Sequence, residues 1–232
     1  MLAENCIYMH FSRQWKEFIS EGKIGTPFYA EADYVHEIRE LVVDKWRAQR
    51  APIHYCSHSL GPILYWMDDY IVKATGSGKT ELTLPGIGVG AIDIQVALFE
   101  TRKGAAIKVA RSSVAARRPN TGFYNIYGTK GFLETGRTTY DNIGLRYFEG
   151  IDDQNGTEIV ISSSDENAPS EALLGGHGTS EYYLVNDFLD SIVYDGTPPI
   201  DYLKGLDMTV PGLIAHEAAL KGNVWMDVPR FD

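Results

Sequence analysis

Two four-residue turns constrain the fold of this chain more than any other feature. Thr101-Arg102-Lys103-Gly104 separates strand-like stretches at 91–100 and 105–114, and Gly128-Thr129-Lys130-Gly131 separates 123–128 from 132–134. Strands joined this tightly are antiparallel, because a parallel pair needs a crossover of about a dozen residues or more. Further strand-like runs lie at 28–35, 70–74 and 145–149, with a weaker one at 158–161. Apolar residues at helical spacing mark 11–21, 57–67, 181–193 and 201–220. Pro62 is tolerated if its helix starts near Gly61, and Pro211 is expected to kink the last helix or force a local adjustment. The polar, glycine-rich stretch 162–178 carries no period and reads as a long loop. The expectation is an α+β chain, a single domain over residues 1–232. Its large, mostly antiparallel sheet carries helices on one face and offers the other for oligomerisation.

Charge narrows the partners. Against 31 acidic residues stand 21 Lys and Arg, a formal charge of −10, which opposes binding to nucleic acid or to anionic membranes. No apolar run reaches the roughly 18 residues of a membrane span, and the first residues do not read as a signal peptide. Cys6 and Cys56 form neither a disulfide framework nor a zinc cluster, so a reducing, cytoplasmic setting is expected.

Two glycine-rich segments fail as nucleotide sites. Gly76-Ser77-Gly78-Lys79-Thr80 lacks the first glycine of a phosphate loop, Lys73 standing in its place, and reads as a turn at a strand edge. Gly86-Ile87-Gly88-Val89-Gly90 has no helix after it and reads as a connector. No bound cofactor is expected for the chain alone.

The segment His54-Tyr55-Cys56-Ser57-His58 is the chemical candidate. Two histidines without a third ligand make a poor metal site, and none is expected. His58, at a loop-to-helix transition, suits proton transfer, since an unperturbed imidazole titrates near pH ~6.5. His54 admits a substrate contact or a structural role, and Cys56 reads as a small buried filler. His177, within Gly175-Gly176-His177-Gly178, is either ligand-facing or a plain loop residue. Tyr55 and Lys45 complete the candidate contacts to a polyhydroxyl substrate, and Trp46 and Arg47 also suit a cleft.

Several segments, in order, carry a resemblance. Glu4-Asn5, Glu21-Gly22-Lys23-Ile24-Gly25 and His58-Ser59-Leu60-Gly61-Pro62 are followed by Tyr127-Gly128-Thr129-Lys130-Gly131. Next come the His177 segment with Asp187-Phe188, and then His216-Glu217-Ala218-Ala219-Leu220-Lys221-Gly222. Together they resemble the C-terminal domain of the glucose–fructose oxidoreductase, inositol dehydrogenase and MocA-like family. The resemblance implies NAD or NADP bound by an N-terminal Rossmann domain, for which this chain shows no counterpart. It implies a sheet that shapes the substrate site and pairs with another subunit, giving a homo-oligomer. It also implies a histidine acid/base matching His58, while the aspartate common four residues earlier is here His54. The expected function is the substrate-side domain of an NAD(P)-dependent sugar or polyol oxidoreductase, inactive alone. An enzyme assignment therefore rests on the resemblance. The alternatives are a domain of an NAD-dependent glycosidase of the same family, or a non-catalytic dimerisation module.

Overall fold

A computed structural model describes residues 1–38, 50–80, 92–139 and 141–231. Lys45, Trp46 and Arg47 lie outside the described residues, as does the 86–90 connector. The elements run α1 (His10–Ser20), β1 (Pro27–Val35), α2 (Ser57–Met67), β2 (Ile71–Thr80), β3 (Ile92–Thr101), β4 (Ala106–Ser112) and β5 (Thr121–Gly128). They continue with β6 (Gly131–Glu134), β7 (Ile143–Phe148), β8 (Thr157–Val160), α3 (Ser180–Val193), α4 (Tyr202–Leu220) and β9 (Met226–Asp227). Short 3-10 turns occupy Asn5–Tyr8, Pro52–His54 and Ser170–Leu174.

The nine strands of the described residues form one open sheet in the order β8-β7-β6-β5-β1-β4-β3-β2-β9. Both tight turns close antiparallel pairs, β3 with β4 and β5 with β6. Among the described residues the one parallel pair is β1 with β4. Within those residues its strands are separated by the Pro52–His54 turn, α2 and two strands, chain enough for the crossover a parallel pair requires.

Alternation assigns the faces. Ala30 and Ala32 of β1 pair with Ile107 and Val109 of β4 and with Ile126 and Tyr124 of β5, and all six are buried. This face receives the helices. Trp15 of α1 and Trp66 of α2 meet at 4.9 Å, and the Trp66 indole N–H donates to the Ser12 carbonyl at 3.0 Å. The ring pair adds about 0.5–1.5 kcal/mol to what area burial supplies. The opposite face stays open: Ile94, Val96 and Leu98 of β3 are 37%, 38% and 45% exposed. A polar network lies beside them, in which Lys108 donates to Glu31 at 2.8 Å and Asn125 donates to the same carboxylate.

One local expectation is corrected. The segment at 76–80 is the second half of β2 and not a turn. Helix α4 lies directly on it, and a Cβ on Gly76 would fall 2.6 Å from the Ala215 carbonyl. Glycine there serves close helix–strand approach. The helix carrying Pro62 runs over Ser57–Met67 as the apolar spacing predicts, and because it starts at Ser57 and not near Gly61 the proline is in its interior. Its missing N–H leaves the His58 carbonyl, four residues earlier, without a helical donor. The Tyr124 hydroxyl donates to that carbonyl at 2.5 Å.

Candidate active site

Helix α2 begins with His58 at its second position and runs into the apolar core through Leu60, Ile63 and Leu64, so the imidazole is held at the core's edge. Glu4 caps the Asn5–Tyr8 turn, its Oε1 accepting the Cys6 N–H at 3.1 Å. The same carboxylate accepts from His58 Nδ1, at 2.7 Å to Oε1 and 2.9 Å to Oε2. Gly61 permits this approach, since a Cβ there would meet Glu4 Cγ at 2.9 Å. Burial alone works to raise the Glu4 pKa. The hydrogen bond and charge of His58, with Ser57 and the Cys6 amide, outweigh it and hold the carboxyl below its usual range.

With Nδ1–H committed to Glu4, the lone pair is at Nε2, and the Tyr55 hydroxyl donates to it at 2.5 Å. Burial and the Glu4 charge raise the Tyr55 pKa. The result is a carboxylate–imidazole–phenol chain reaching from a buried acid to a half-exposed hydroxyl. The carboxylate fixes the tautomer and stabilises the imidazolium formed on proton uptake.

Three residues of the sheet complete the cluster. On the core face of β1 and just beyond it, Tyr34 and His36 stack at 3.8 Å, and Tyr34 also meets the His58 ring edge-on at 5.8 Å. Burial, Arg111 and His58 push the His36 pKa down to about 4, so its ring is neutral at physiological pH. Arg111 is paired with Tyr34 in the β1–β4 register and therefore shares its face. Its guanidinium lies over the Tyr34 and Tyr55 rings at 4.4 and 4.8 Å.

Of the residues singled out from sequence, the structure joins His58 and Tyr55. His54 turns away, meeting His216 of α4 edge-on at 4.6 Å, and His216 in turn bonds Gln95. Burial, His216 and Arg50 lower the His54 pKa to about 4. His177 is on the exposed approach to α3, its Nδ1 2.5 Å from Glu181 Oε1. Cys56 is buried and donates to the Met208 carbonyl at 3.3 Å. Sequence reasoning missed Tyr34, His36, Arg111 and the role of Glu4. The signal for Arg111 was alternation: it continues Ile107 and Val109 on the buried face, where a cation is out of place. Ligand atoms of Glu4, Cys6 and His58 lie within 4.8 Å of one another, a donor set zinc accepts, although the Glu4–His58 bond already engages two of the three.

The sequence profile described as the oxidoreductase family's C-terminal alpha/beta domain matches residues 16–227. The chain belongs to the Gfo/Idh/MocA oxidoreductase family. A glycosyl hydrolase family 109 protein of Saccharopolyspora erythraea is 22% identical over 98% of this Gfo/Idh/MocA chain and 55% of its own length. Another from Streptomyces filamentosus is 23% identical over 100% of the chain and 52% of its own. The chain thus spans about half the length of the curated relatives it matches. Among solved structures, a levoglucosan dehydrogenase in complex with NADH and L-sorbose superposes with a TM-score of 0.82 at 18% identity. That match covers 100% of this chain and 66% of the dehydrogenase. These likenesses confirm the fold: an open, mostly antiparallel sheet backed by helices on one face. Among the described residues, no helix is long and apolar enough to cross a membrane.

Proposed function

We propose that the chain is the substrate-side domain of an NAD(P)-dependent enzyme acting on a sugar or polyol, with His58 as its acid/base and no turnover without a nucleotide-binding half. The carrying observation is the Glu4–His58–Tyr55 chain. A substrate hydroxyl passes its proton to Tyr55 as Tyr55 hands its own to Nε2, and the imidazolium rests against the Glu4 carboxylate. Such proton transfer contributes about 10²–10⁴-fold. The side chains of this site suit a polyhydroxyl ligand, and no strand–glycine turn–helix unit for a pyrophosphate occurs among the described residues. The dinucleotide, held by the other half, supplies the hydride acceptor. His177, Lys45 and His54 remain proposed substrate contacts, with His54 the weakest because its ring faces His216.

The test joins the chain to a nucleotide-binding half and offers sugars and polyols with NAD and NADP. Turnover that falls at least a hundredfold in His58→Ala supports the reading. Turnover untouched by that change overturns it.

The curated relatives favour a second reading, since they are named family 109 glycosyl hydrolases. Glycoside cleavage without net reduction of the cofactor, through the same His58, distinguishes it from a dehydrogenase.

The open face is proposed to pair with a second copy in a cytoplasmic homo-oligomer, covering Ile94, Val96 and Leu98.

A further inference from the structure

Arg111 is 4% exposed, and its environment does not balance its charge. Among the described residues, its guanidinium donates one hydrogen bond, from Nη1 to the neutral Ser59 hydroxyl at 3.0 Å, and no carboxylate lies within ion-pair distance. Tyr34 and Tyr55 turn their aromatic faces to it, and the uncharged Cys56 and Tyr124 lie nearby. The Glu4 carboxylate, the nearby anion of the cluster, is spent on His58.

A guanidinium has five N–H donors, is always charged, and is rarely buried without an anion. The desolvation it suffers calls for a partner, and the described residues do not present one. The position of the unmet charge is informative. Tyr55 touches both Arg111 and the Nε2 of His58, so an anion on the guanidinium lies one ring's width from the proton-transfer chain. Tyr34 repeats the link, packing against Arg111 and His58 from the strand side.

We propose that Arg111 receives a carboxylate of the substrate, so that the ligand of this site is a sugar acid rather than a neutral sugar. This deepens the polyol reading and rests on it for the hydroxyl-bearing remainder of the ligand. The planar fork of arginine matches a carboxylate through two parallel N–H bonds, and the Tyr34 and Tyr55 rings hold the fork flat. No step of the chemistry changes: Arg111 is a positioning and specificity residue, and His58 keeps the proton transfer.

Titration calorimetry on this chain, at low ionic strength, compares gluconate and glucuronate with glucitol and glucose, with acetate as the bare anion. The sugar acids are expected to bind about 10–100-fold tighter than their neutral counterparts, the range of one charge-assisted contact. Arg111→Met is expected to erase that difference while weak neutral-sugar binding persists. Arg111→Lys, which keeps the charge and loses the fork, is expected to retain part of it, and circular dichroism checks the fold of both. Equal binding of acids and neutral sugars, or an undiminished preference in Arg111→Met, overturns the proposal. Acetate binding as tightly as gluconate, lost in Arg111→Met, supports the anion site and instead overturns the polyol reading.

Discussion

Gly61 and Glu4 occupy one another's space: the hydrogen that stands for a side chain at Gly61 leaves room for the Glu4 methylenes, and a Cβ would approach Cγ to 2.9 Å. The second contact of that Cβ, the Met208 sulfur at 3.4 Å, closes the other way out. The acid that orients His58 is thus placed by the absence of an atom on the same helix. Gly61→Ala should cost about 1–3 kcal/mol in urea melts, as overpacking does. It should also move the His58 ring resonances, which a merely global loss of stability leaves in place.

Glu4 makes a prediction with a defined pH window. Its carboxyl is held below the ordinary value by His58, so it stabilises the fold above the unfolded pKa of about 4 and that contribution is lost as pH falls through the lower folded value. Glu4→Gln should remove this acid-dependent component while the rest of the pH profile stays. Identical slopes for the two proteins below pH ~4 would falsify the assignment.

His36 and His54 act in a neighbouring window with their own sign. Both are pushed down to about 4, chiefly by burial, so the unfolded chain takes up their protons before the folded chain does. They weigh nothing above about pH 6.5 and destabilise increasingly as pH falls toward 4. His54→Phe should lessen the fall of stability between these limits, His36 keeping its share, without touching proton transfer at His58. Melts at neutral and mildly acid pH read this directly.

Tyr124 and Pro62 are coupled through one carbonyl. Tyr124→Phe strands the His58 carbonyl in a buried site and should cost about 1–3 kcal/mol. Pro62→Ala restores an amide donor four residues on, so the same Tyr124→Phe change should cost less in that background. A double-mutant cycle with no interaction energy would show the hydroxyl bond to be idle.

The exposed stripe on β3 should matter only to association. Val96→Glu with Leu98→Glu is expected to leave the melting profile of the isolated chain nearly unchanged and to abolish a dimer in sedimentation. A wild-type monomer at micromolar concentration contradicts the proposed pairing.

Much of the fold was legible in order and type. The turns at 101–104 and 128–131 demand antiparallel pairs, and the pairs are there. Apolar spacing located the four α-helices of the described residues, with boundaries within a few residues. Where the reading failed, a tertiary contact had overridden a local signal. Glycine-rich 76–80 looks like a turn until α4 lies on it.

By itself, the sequence determined the α+β architecture, the family and the candidacy of His58, because turn length, periodicity and motif order are properties of the chain taken in one dimension. Only the tertiary structure decided what His58 works with. Glu4 is 54 residues away in sequence, and Tyr124 is 66 away. Arg111 reaches the site through the parallel register of β1 and β4. His54, four residues from His58, is turned elsewhere. The physical reason is that hydrogen bonds and ion pairs act over a few ångströms, and only the packing of α2 against the sheet brings those distant residues within that range.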